Sequence, residues 1–177
     1  MNRFLSRAVP SLVLAGMLSS SPSVFAHDDD FVLRSQTVAQ RLGGADGIAA
    51  FINAKVVPAL LDSELAPFFT GGVTRLTEST SQTVQCLARL LDHDLGGSSP
   101  KNGAIVTDAA AAPDFPVQHT CRSSMSNVHR GMRINDAQFS LFINIVATEA
   151  LKAGVAKADV QAVGKVLERY RGSITQD

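Results

Sequence analysis

The chain has 177 residues, a formal net charge of zero, a single Tyr and no Trp. No Lys/Arg cluster exceeds what a solvated surface needs, which argues against nucleic acid as a partner. The scarcity of Tyr and Trp removes the usual stacking platforms for single strands or sugars.

Met1–Ala26 reads as an export signal rather than as part of a fold. Arg3 and Arg7 give a positive start, Ala8–Leu18 a mostly apolar run, and Val24-Phe25-Ala26 small or aliphatic side chains at the cleavage positions. The apolar run falls short of the roughly 20 residues a spanning helix needs. Residues 27–40 follow as a polar tail and pre-helix, and 41–177 as one domain. That length suffices for a single core. No long apolar segment is expected after Ala26, so the mature chain should not engage a membrane, and its place is the periplasm or the exterior.

Helical periodicity then runs through the chain, with weak strand signals. After Gly43-Gly44, the residues Ile48, Phe51, Ile52, Val56 and Leu60 recur at helical spacing, and Pro58 should kink or shorten that helix. Leu65-Ala66-Pro67-Phe68-Phe69 makes an apolar corner closed by Gly71-Gly72. The next helix is predicted over 74–92, with Leu76, Thr80, Thr83, Val84, Leu87, Leu90 and Leu91 inward. Its stretch from Thr77 to Gln82 is polar, which fits either a turn facing water or a polar group opposite it.

Residues 96–120 form a long insertion rich in Gly, Ser, Ala and Pro, read as irregular, with one helical turn available at Ala109–Ala112. Helix returns at Ser124–Met132. Asn135 caps the following helix, with Gln138 completing a capping box and Phe139, Phe142, Ile143, Val146, Ala150 and Leu151 forming its apolar stripe. Gly154 stops it, and a last helix spans about 157–171. The fold class is all-α. Cys86 and Cys121 are the two cysteines. In an exported chain they favour a disulfide, with two free thiols as the alternative.

Among ionisable residues, His129 stands out. Met125, Val128 and Met132 surround it at helical spacing, and Gly131 lets the chain turn away. A single imidazole over an apolar slot, faced by Phe69 and Phe139, is what an axial haem ligand requires. His-Glu-x-x-His, Gly-x-Ser-x-Gly, Cys-x-x-Cys-His and phosphate-loop patterns are absent from the sequence.

Arg41-Leu42-Gly43-Gly44-Ala45-Asp46-Gly47-Ile48 resembles the opening of truncated haemoglobins. Leu65-Ala66-Pro67-Phe68-Phe69 resembles that family's Leu-x-x-Phe-Phe corner, Arg75-Leu76 the start of its distal helix, and Met125–Met132 its proximal segment. Ile134–Phe139 and the Ala153-Gly154-Val155 break continue the likeness, which covers 41–174 outside the insertion and fits the group I branch best. The resemblance implies a globin-like helical sandwich around one pocket for haem b. It implies His129 as the iron ligand, Phe69 packed on the porphyrin, and Leu76, Met125 and Phe139 lining the pocket. It also implies reversible binding of oxygen or another diatomic gas rather than catalysis.

Two departures leave alternatives open. Where the family carries a Phe-Tyr pair this chain has Lys55-Val56, so a distal donor would have to come from Thr80, Gln82 or Thr83. His93 or His119 can serve as a sixth iron ligand, giving a redox or electron-transfer protein with a redox partner of unknown kind. Turnover of nitric oxide or peroxide is another such use. A haem-less binding module is the remaining alternative.

Overall fold

The computed structural model describes residues 35–73, 76–108, 117–122 and 124–176. The expected export signal, most of the polar tail and the helical turn expected at Ala109–Ala112 lie outside them.

The chain enters through a short helix, α1 (Val38–Arg41), set by a reciprocal cap. The Gln40 N–H donates to Thr37 Oγ1 at 3.2 Å, and the Thr37 N–H donates to Gln40 Oε1 at 2.8 Å. Gly43, at φ 82°, then turns the chain into α2 (Gly44–Phe51). This is a left-handed conformation that glycine adopts without a Cβ penalty.

A π-helical stretch (Ile52–Val56) leads without a break into α3 (Val57–Leu61). Pro58 has no N–H for the ordinary helical bond, and the wider turn accommodates it, so the expected kink takes the form of a π turn. Ile48, Ile52, Val56 and Leu60 recur four residues apart and are all buried. By length and composition Gly44–Leu61 is apolar enough to cross a membrane. This corrects the expectation that no such segment follows Ala26. Its apolar face is nevertheless spent on the core of this domain.

The one-turn helix α4 (Ala66–Phe69) forms the predicted corner, and α5 (Thr80–Asp94) follows. That helix begins later than the periodicity suggests: Leu76 and Thr77 are not helical. The polar stretch from Thr77 to Gln82 is its N-terminus. Ser79 Oγ accepts from the Gln82 N–H at 3.1 Å, and Gln82 Oε1 accepts from the Ser79 N–H at 3.0 Å. Inward residues of α5 are Val84, Ala88 and Leu91, whereas Thr80 and Thr83 are exposed.

The insertion is not irregular throughout. β1 (Ile105–Asp108) and β2 (Val117–Thr120) pair antiparallel, with Ile105 opposite Thr120 and Asp108 opposite Val117. The hairpin packs on α5 by burying Val106, only 1% exposed. Gln85 Nε2 also donates to the Thr107 carbonyl at 3.1 Å. The expected disulfide is present between Cys86 and Cys121, and it fastens the end of β2 to α5.

α6 (Met125–Val128) is a single turn capped by Ser124. α7 (Asp136–Lys152) starts at the predicted Asn135–Gln138 capping box, and α8 (Lys157–Glu168) and α9 (Arg171–Ile174) close the chain. Leu151, expected inside, is 52% exposed. The α7 stripe ends with Ala150, one residue earlier. The core joins α2, the π stretch, α3 and α5 to Val166 and Leu167 of α8. Arg41 and Asp159 pin the chain's entrance to α8: Arg41 Nε donates to Asp159 Oδ2 at 3.1 Å, with Asp159 buried.

Candidate functional site

A cavity of about 230 Å³ opens between α4, α5, the hairpin, α6 and the start of α7. The chain builds its walls from short elements. The α4 corner contributes Phe68 and Phe69, α5 contributes the half-buried Leu87 and Leu90, and the first turns of α7 contribute Phe139 and Phe142. The Phe139 and Phe142 rings lie 6.2 Å apart at 27°, and the Arg171 guanidinium sits 4.9 Å above the Phe139 ring. A second cavity, of about 220 Å³, lies beyond Leu91 and Leu167 between α2, α7 and α8. Its one charged lining residue is Arg41, already engaged by Asp159. The first cavity therefore carries the chemistry.

His129 terminates α6 and lines the first cavity. Its Nδ1 lies 2.9 Å from the Met125 carbonyl oxygen. A carbonyl can only accept, so Nδ1 carries the hydrogen and Nε2 keeps its lone pair. Burial holds the imidazole below its ordinary range, against the opposing pull of the Met125 bond. The ring is thus neutral near pH 7 and able to donate Nε2 to a Lewis acid. Gln176 Nε2 donates to the His129 carbonyl at 3.3 Å, tying the turn to the end of the chain.

Of the residues singled out from sequence, Phe69, Met125, His129 and Phe139 all meet at this cavity. Leu76 does not: it is 40% exposed and lies outside the lining, because α5 starts after it. Val56 is buried in the core and Lys55 is exposed, so neither presents a donor to the cavity. Of the suggested replacements, only Thr83 lines it. Gln82 serves the α5 cap. The single Tyr, Tyr170, does reach the cavity, but its hydroxyl donates to Asp94 Oδ2 at 2.6 Å. Burial and Asp94 together push that phenol up to about 12.

His93 is turned away, its Nδ1 3.0 Å from the Ser99 carbonyl oxygen, whereas His119 on β2 lines the cavity.

The rim of the cavity is cationic. Arg89, Lys101 and Arg122 face it together with a single carboxylate, Glu78. Arg122 pairs with Glu78 at 2.6 Å. The Nε of Arg89 is buried with no hydrogen-bond partner among the described residues. Arg89 escaped sequence reading because an isolated Arg in an amphipathic helix carries no signal of its own. Among the described residues, no group of three or more His, Cys, Asp or Glu could hold a bare metal ion.

The fold has counterparts among solved structures. The crystal structure of the Fe(III) form of truncated hemoglobin from Tetrahymena pyriformis is similar, with a TM-score of 0.59 at 20% identity over 80% of this chain and 100% of that one. Two single-substitution variants of the same protein match equally. The chain has the truncated-globin fold. No family model matches the sequence, and no curated protein does. Within this truncated-globin fold, the hairpin lies in the stretch 96–120 that the sequence sets apart as an insertion, and the disulfide fastens its end to α5.

Proposed function

We propose that this protein binds haem b in the cavity beside His129 and there holds oxygen or another diatomic gas reversibly. The observation that carries the reading is the His129 ring, with Nδ1 committed to the Met125 carbonyl and Nε2 left for iron. Such a partner on the other nitrogen fixes the tautomer and raises the ligand's basicity.

The remaining residues fit the group. Phe69, Leu87, Phe139 and Phe142 offer an apolar surface for a flat macrocycle, whose burial is worth about 25 cal/mol per Å². The unpartnered Nε of Arg89, with Lys101 nearby on the rim, suits a ligand edge bearing carboxylates. A single imidazole cannot cage a free ion, but it suffices where a porphyrin supplies the other donors. When bound, the haem iron would supply the centre that holds a gas. The protein's own part is to orient His129, exclude water with the phenylalanines and set the polarity opposite. Val56, in the core, and Gln82, in the α5 cap, add no donor there, and of the three suggested donors Thr83 lines the cavity. The resemblance of the sequence to the group I branch of truncated haemoglobins supports the same reading.

Export is part of the proposal. The Met1–Ala26 pattern and the Cys86–Cys121 disulfide both suit an oxidising compartment, periplasmic or outside the cell. N-terminal sequencing of the exported chain tests it, with His27 expected as the first residue. For the haem, the test is the visible spectrum of the chain after reconstitution, beside His129→Ala. A strong Soret band in the first and a weakened or shifted one in the second are expected. The absence of any Soret band in the wild-type chain removes the reading.

A further inference from the structure

We infer that His119 is a second axial ligand of the iron, closing the site until a gas displaces it; this rests on the haem reading above. His119 and His129 line the same cavity but belong to different walls. His129 ends α6, which packs against α9, whereas His119 belongs to a hairpin that packs on α5. The remaining described histidine, His93, has its ring nitrogen beside the Ser99 carbonyl and does not line the cavity.

The His119 side chain is largely buried, at 23% exposure. Glu78 Oε1 lies 3.9 Å from its Nε2, beyond hydrogen-bond reach. Competing donors on the cavity are weaker candidates. Met125 sits on the His129 wall, Glu78 is engaged by Arg122, and the two cysteine sulfurs are bonded to each other. Imidazole suits iron better than a hydroxyl or a carboxylate does.

The hairpin makes the ligand available at low entropic cost. His119 stands two residues from Cys121, whose disulfide fixes β2 to α5, and the Cys121 N–H donates to the Ala104 carbonyl at 2.7 Å. Val106 is buried beneath the same hairpin. A histidine on a free loop would lose far more conformational freedom on binding.

The test uses the full chain reconstituted with haem. Absorption and electron paramagnetic resonance spectra are recorded for the ferric form, and absorption for the ferrous form. Wild type, His119→Ala, His119→Gln and His93→Ala are compared. Expected is a six-coordinate low-spin wild type, unchanged in His93→Ala. Both His119 variants should become high-spin, and five-coordinate when ferrous, with the haem-to-protein ratio kept and low spin restored by added imidazole. A wild type that takes up haem but is five-coordinate when ferrous overturns the inference alone, as does low spin that survives both His119 substitutions. A wild type that takes up no haem overturns the haem reading and this one with it.

Discussion

The Nδ1 of His129 lies 2.9 Å from the carbonyl oxygen of Met125, four residues earlier on the same short turn. The bond is local, so a single helical turn suffices to fix the tautomer and aim the ring. Replacing His129 by Ala removes the proposed iron ligand while leaving the phenylalanine walls in place. Haem affinity should then fall by more than the roughly 10–100-fold typical of losing an orienting partner alone. Titration of the apo chain with haem, followed at the Soret band, measures it. Equal affinity in the two proteins would mean that the iron has no bond to His129.

Burial also gives His129 a pH signature. Its imidazole is held below the ordinary value of 6.5 in the folded chain. As pH falls through that value the unfolded chain takes up the proton first, so stability drops. The drop continues until the folded imidazole protonates as well, and above 6.5 this group contributes no slope. The apo His129→Gln chain should lose part of the acid-side slope in urea melts between about pH 7 and pH 5. Parallel curves for the two proteins would show that the buried ring is not the source.

Local patterns were legible in the sequence, and long-range ones were not. Asn135 and Gln138 announce the start of α7, and the helical positions of Phe139, Met125 and His129, which line one cavity, follow from spacing within single elements. Leu76 was misplaced because the apolar period can be extended backwards through Thr77–Gln82, although Ser79 and Gln82 form their own cap. The hairpin hid in a Gly-, Ser- and Ala-rich insertion. Its pairing depends on Val106 burying against α5 and on the disulfide, both of which join distant residues. The presence of His119 and Arg122 at the cavity follows from that pairing, so periodicity could not reveal it.

The disulfide should matter for both stability and the cavity wall. Cys86 and Cys121 are separated by 35 residues. In the chain-entropy picture such a crosslink contributes about 3–4 kcal/mol. Cys86→Ser with Cys121→Ser should lower apo stability by that order in urea unfolding. It should also speed hydrogen exchange at the backbone amides of Val106 and Cys121, leaving those of α8 unaffected below global unfolding. Unchanged exchange in the hairpin would mean that the packing of Val106 alone holds it.

Arg89 offers a substitution whose two effects have opposite signs. Its Nε is buried without a hydrogen-bond partner among the described residues, and the side chain lines the cavity. An unsatisfied buried donor costs about 1–3 kcal/mol. Arg89→Met keeps the aliphatic stem and removes that donor, so the apo chain should unfold at equal or higher urea concentration. If the orphaned nitrogen exists to meet a ligand carboxylate, the same change removes a charge-assisted bond worth about 1.5–3 kcal/mol. Haem affinity should then fall about tenfold or more, as one decade corresponds to roughly 1.4 kcal/mol. Haem dimethyl ester, which has no free carboxylates, supplies the control, since its affinity should not change between the two proteins. A variant that is less stable without haem and binds both forms as the wild type does would assign Arg89 to packing instead.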